Sequence, residues 1–147
     1  MRPLVGEKLH EAMSLHQELV TTLPPTALSL KLPELPSNTI GSQLWCVAGA
    51  RESYVNAIRA GQWQGFTCRV TRAGSKDRDR MVVALHETAA LAKDCLADAS
   101  LHWTPERERL LLTLLEHEVQ HHGQLIRYLY ANRLPFPSSW KHRYALD

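Results

Sequence analysis

The chain has 147 residues, 44% of them apolar and 22% charged, and its 17 Lys and Arg against 15 Asp and Glu leave a formal net charge of +2. That length suits one domain, residues 1–147, with one hydrophobic core. Basic residues scattered among acidic ones leave no electrostatic footprint for nucleic acid, and no apolar run approaches the ~18 residues of a membrane span.

Met1 to Glu18 carry Glu and His at helical spacing rather than an apolar stretch, so no secretory signal is expected. The three cysteines, Cys46, Cys68 and Cys95, are odd in number and widely spaced. That argues against a disulfide framework and for a reducing compartment, the cytoplasm by default. The first predicted helix carries Val5, Leu9, Ala12, Met13, His16, Leu19, Val20 and Leu23 as one stripe, and Pro24-Pro25 ends it. The following stretch to Pro36 is rich in proline and reads as a loop pinned by Leu28, Leu30, Leu32 and Leu35.

Ser37 or Asn38 can cap a second helix with the stripe Ile40, Leu44, Val47, Ala48, Arg51, Tyr54, Val55 and Ile58. A loop marked by Gly61, Gly65 and Gly74 follows, with Trp63, Phe66, Cys68 and Val70 expected to lie over the helices. Arg69 to Arg80 is the nearest thing to a basic patch. It contains Asp77 and Asp79 and reads as a solvated loop and helix start. Ser75 or Asp77 opens a third helix to about Ala99. Thr104-Pro105-Glu106 then opens a fourth, with a capping hydroxyl, proline at the first helical position and an acid at the positive end of the dipole. The fourth helix runs to about Arg133, where Leu134-Pro135-Phe136-Pro137 stops it. Four long helices without a strand pair or repeat predict an all-α four-helix bundle. Its loops of about a dozen residues exceed the usual 2–8 of bundles and suit crossovers.

The most informative string is Leu114 to Gln124. Residues four apart on a helix share a face, so His117 and His121 stand one above the other on a leucine-lined side. Two imidazoles so spaced can reach one ion at the ~2.0–2.1 Å of a Zn–N bond. The string is also literally H-E-x-x-H, but no glutamate follows Glu118 to serve as a third ligand, and Gln124 and Arg127 stand where a metzincin extension needs Gly and His. These departures weigh against a protease.

His117-Glu118-x-x-His121-His122-Gly123-Gln124, with Ile40-Gly41-x-x-Leu44-Trp45-Cys46 and Leu134-Pro135-Phe136-Pro137-x-x-Trp140-Lys141, resembles the DinB-like (YfiT-like) family across nearly the whole chain. The resemblance implies a four-helix bundle with long crossover loops, commonly a homodimer, with a divalent metal such as zinc or nickel on three histidines between helices. It also implies a metal-dependent enzyme, a transferase or hydrolase type that takes a small-molecule substrate and a low-molecular-weight thiol. The chain departs from the pattern at the first ligand, where Cys46 stands in place of histidine. Two readings of Cys46 stay open. With His117 and His121 it makes a Cys-His-His metal set with one position free. Alternatively it is a small core hydrophobe in a non-catalytic member that has lost the metal.

Cys68 and Cys95 read as structural, and His10, His102 and His142 as surface or tail residues. His16 or His86 can face the cavity, with a surface or second-layer place favoured for His86. Glu118 sits one residue off the ligand face as a supporting or dimer-face carboxylate. His122 faces a partner or caps the cavity, and Gln124 can hydrogen-bond near the site. Trp45, Tyr54 and leucines are expected to line a substrate cavity. The aromatic Trp63-Phe66 loop and Pro135-Phe136 tail supply a reason for dimerisation, although the tail can equally fold back on its own helices.

Overall fold

In the computed structural model, which describes residues 1–147, every regular element is helical and no strand forms. The long helices are α1 (Arg2–Thr22), α2 (Ile40–Ala60), α3 (Arg78–Ala97) and α4 (Pro105–Ala131), followed by a short α5 (Ser138–Tyr144). Single 3-10 turns at Pro25–Ser29 and Ala73–Lys76 punctuate the two longest connections. No helix is long and apolar enough to cross a membrane.

The helix starts follow from capping chemistry. Thr104 accepts from Arg107 N–H with Pro105 behind it, and Asp77 accepts from Arg80 N–H. At α2 the cap is Thr39, whose hydroxyl accepts from Ser42 N–H at 3.0 Å. The expected caps Ser37 and Asn38 are engaged elsewhere, Ser37 with Leu32 N–H and Asn38 with Gln43 and Tyr128.

α1 and α2 each pack against α3 and α4, so consecutive helices α1–α2 and α3–α4 stand on opposite corners. Gln43 beside His121 and Ile58 beside Arg107 show that α2 and α4 run antiparallel. Gly41 beside Ser75 and Arg51 beside Leu85 show that α2 and α3 run parallel. A parallel pair needs a connection that returns the full length of α2, roughly 30 Å at 1.5 Å per residue. Segment 61–77 does this as a strap. Trp63 packs on Tyr54, Thr67 on Ser53, Phe66 on Gly49, Val70 on Trp45 and Ser75 on Gly41, in descending order along α2. Arg69 fastens it to Glu52 of α2 and Glu87 of α3. The basic stretch therefore does more than sit in solvent, because this arginine is a cross-link.

Two apolar clusters fill the interior. One gathers Leu19, Leu28, Leu44, Val47, Met81, Leu85, Leu125 and Trp140, and the other Leu9, Met13, Val55, Ile58, Cys95, Leu111 and Leu114. Between them lie buried polar side chains from every long helix, among them His16 of α1, Arg51 of α2, Thr88 of α3 and Glu118 and His122 of α4. Removing so much apolar surface from water drives the packing, at about 25 cal/mol per Å². The polar layer decides its register.

The tail folds back on its own helices. Trp140 is fully buried, its indole N–H donating to Leu15 O at 2.8 Å, and Phe136 is 9% exposed. Of the two readings of the tail, the structure shows the fold-back one. Trp63 and Phe66 remain 50% and 45% exposed.

Candidate metal centre

α2 and α4 bring Cys46, His117 and His121 together. Because the helices are antiparallel neighbours, one α2 position meets two α4 positions a turn apart. The ligand atoms lie within 4.8 Å of one another. His117 Nε2 is 3.2 Å from His121 Nε2 and 3.6 Å from Cys46 Sγ. Bonds of ~2.05 Å to nitrogen and ~2.3 Å to sulfur around a tetrahedral ion give edges of about 3.4 Å and about 3.6 Å. The two separations from His117 Nε2 thus already match the spacing an ion requires, and the third edge, Cys46 to His121, lies within 4.8 Å. His121 is buried, while His117 and Cys46 are half-buried, so the set faces partly outward.

Burial holds the His121 imidazole down to about 4, with His117 adding to the shift, and lowers His117 as well. Both rings are neutral near pH 7 and present lone pairs. Burial pushes the Cys46 thiol up, helped by Cys68 and opposed by Arg72, so an incoming cation must displace a proton from sulfur.

His121 Nδ1 stands 2.6 Å from Gln43 Oε1. This is the polar support that ligand histidines usually have. Gln124, the glutamine expected near the site, makes no such bond, and its Oε1 is buried without a partner. Gln43 is an unspecified position within Ile40-Gly41-x-x-Leu44-Trp45-Cys46, and only the pairing of α2 with α4 reveals its role.

A second buried group, His16, Glu118 and His122, can also hold a metal ion by its spacing. Its hydrogen bonds favour a different role. Arg51 grips Glu118 through Nε at 2.6 Å and Nη2 at 3.0 Å, and donates through Nη1 to Leu85 O. His16 Nδ1 donates to the same carboxylate at 2.7 Å. Both nitrogens of His122 are engaged, Nε2 with Ala12 O at 3.0 Å and Nδ1 with the Tyr144 hydroxyl at 2.7 Å. A carbonyl only accepts, so Nε2 carries the proton and Nδ1 receives Tyr144 O–H. With Arg51 already neutralising Glu118 and His122 fully bonded, a dication here would meet a guanidinium and no free lone pair on that ring. The Arg51 guanidinium, with the hydrogen bonds from Arg51 and His16, holds the Glu118 carboxyl well below the usual carboxylate range despite its burial. His16, held below its ordinary value by burial, stays neutral.

These positions correct the expectations for Glu118, His122, Trp45 and Tyr54, and agree with those for the surface histidines and for Cys68 and Cys95. Glu118 is neither peripheral nor on a free face: it is fully buried and paired. That pairing also removes it as the base of an H-E-x-x-H protease. His122 is buried against Trp140 and Tyr144 rather than facing outward. His16 belongs to the ion-pair layer, and His86, like His10, His102 and His142, is exposed. Cys95 is buried in the second apolar cluster, and Cys68 packs against the first. Trp45 and Tyr54 do not line an open cavity. The strap covers them with Phe66, at 5.1 Å between ring centres, and Trp63, also at 5.1 Å.

The chain matches no family model and no curated protein.

A groove of about 450 Å³ runs between α1, α4 and α5 past Leu15, Val119 and Arg143. It touches His122 but none of Cys46, His117 and His121.

Proposed function

We propose that this chain is a DinB-like four-helix bundle that holds one divalent ion, zinc or nickel, on Cys46, His117 and His121. In this reading it works as a metal-dependent transferase or hydrolase on a small molecule, with a low-molecular-weight thiol, as a cytoplasmic homodimer. The observation that carries the metal reading is His117 Nε2 standing at ion-holding distances from both Cys46 Sγ and His121 Nε2, with neutral rings and all three donors within 4.8 Å. Cys46 suits the role otherwise given to a third histidine. Its thiolate binds borderline metals well and offsets one of the two positive charges.

An ion bound there would supply a Lewis-acidic position for a thiol or water. The chain's own residues do the rest. Gln43 braces His121, and Cys46 gives up its proton. The half-buried edge at His117 and Cys46 leaves one side approachable. A second reading, a non-catalytic metal- or ligand-binding member, is favoured by the strap aromatics that cover Trp45 and Tyr54 where a substrate wall was expected.

Purification without chelator, incubation with zinc or nickel and elemental analysis test the metal reading. The expected result is about one ion per chain, the capacity of a single three-ligand site, lost in His121→Ala and Cys46→Ala. Well-folded wild type that takes up no metal would overturn it. Stoichiometric metal that survives Cys46→Ala would move the site away from the sulfur.

A further inference from the structure

The bond from His121 to Gln43 does not end there. Gln43 Nε2 donates to Asn38 Oδ1 at 2.9 Å, and the Tyr128 hydroxyl reaches the same Oδ1 at 2.6 Å and Asn38 O at 3.0 Å. The relay runs from Tyr128 on α4, through the end of the first crossover, to α2 and back to α4. It is built of groups with limited choices. With Asn38 Oδ1 receiving both the Tyr128 hydroxyl and the Gln43 amide, Gln43 turns its oxygen to His121. An amide oxygen accepts and never donates, so the proton of the neutral His121 ring belongs on Nδ1. Nε2 is then a bare lone pair, aimed at His117 Nε2 and shared with the space in front of Cys46. Tyr128 is 4% exposed and Gln43 7%, so water does not compete freely for these bonds.

We propose that Gln43, itself held by Asn38 and Tyr128, is a positioning residue that keeps His121 in its Nδ1–H tautomer, with Nε2 ready to receive a cation. The inference deepens the metal reading but concerns the chain's own protons, so it has a readout that needs no metal. A ring free to choose its tautomer would spend part of its time with Nε2–H pointed into the site, where it blocks an ion. A ring held by Gln43 does not, and it is also fixed in orientation. Such outer bonds to a ligand histidine are usually worth 10–100-fold in metal affinity.

The test is nitrogen NMR of metal-free protein labelled at histidine, followed by zinc titration in competition with a chromophoric chelator. In wild type, His121 Nδ1 should give a proton-bearing signal and Nε2 a bare-nitrogen signal. Gln43→Leu should mix the two tautomers and weaken zinc 10–100-fold. Gln43→Glu, whose carboxylate accepts the same bond, should restore both the tautomer and the affinity to within a few-fold of wild type. Asn38→Ala should leave the fold intact and partly mix the tautomers, because the Gln43 amide can then turn over. Finding the proton on Nε2 in wild type overturns the proposal, as does an unchanged tautomer in Gln43→Leu. Wild type that fails to bind zinc while showing the expected tautomer would count against the metal reading and leave the role of Gln43 supported. Wild type and Gln43→Leu binding zinc equally well would do the reverse.

Discussion

Glu118 holds a negative charge where no water reaches it, and it stays ionised because Arg51 and His16 close around both of its oxygens. Three nearby imidazoles face the opposite demand. Burial keeps His16 below its ordinary value, His121 down to about 4 and His122 down to about 3. In the unfolded chain these rings take a proton near ~6.5. Between that value and their folded ones the unfolded state binds more protons, so stability falls as pH falls, by up to ~1.4 kcal/mol per pH unit for each histidine. Glu118 acts in the same direction lower down, since its contribution is present above the unfolded value near ~4 and is lost on further acidification. Metal-free protein should therefore lose stability steeply below pH 6.5. Urea denaturation midpoints measured from pH 7.5 to pH 4.5 check this, and a midpoint that stays flat to pH 5 would contradict it.

At the scale of elements, α2 is the helix against which α3, α4 and both crossovers are laid. Its first turn meets both crossovers, and the two glycines that make this possible differ in what they face. A Cβ on Gly41 would collide with the Ser75 carbonyl and lie 2.9 Å from that of Leu28. Both are backbone, so one of the connections must move. A Cβ on Gly49 would instead meet the rim of the Phe66 ring, which is half exposed and can swing aside. Gly41→Ala should cost about 1–3 kcal/mol by overpacking. Gly49→Ala should come out within about 1 kcal/mol of wild type, because the gain in helix propensity offsets the displaced ring. Thermal and chemical denaturation of the two variants decide it, and equal losses would show that the strap is as rigid as the backbone contacts at Gly41.

Periodicity made the four long helices legible, because a stripe such as Leu110, Leu114, His117 and His121 is local information. Thr104-Pro105 was legible for the same reason. The His117–His121 pair could be read as a shared face from spacing alone. What met that face could not. Arg51 and His16 lay in their stripes in plain view, and a charged residue at an apolar phase is a signal that some partner waits across the core. Naming Glu118 as that partner required knowing which helices are neighbours. Gln43 was hidden for the same reason. The short α5 escaped because seven residues give too little periodicity, and only the depth of Trp140 shows why it forms.

At the scale of the whole molecule, the polar layer divides the core and locks its assembly. Sliding α4 by one turn past α2 would leave Glu118 buried without Arg51, and breaking such a pair costs about 3–5 kcal/mol. That penalty singles out one register, and the same register sets Cys46 opposite His117 and His121. α5 closes the far side, where Ser139 bonds to Glu18 and Tyr144 to His122. The structural layer and the candidate site thus share α4, through His117, Glu118, His121 and His122 in turn. The most direct test of the account is X-ray absorption spectroscopy at the metal edge of the zinc-loaded protein. The account predicts one sulfur at ~2.3 Å and two imidazole nitrogens at ~2.0–2.1 Å, with a lighter donor completing the shell. A shell of nitrogen and oxygen alone, with no sulfur, would contradict it.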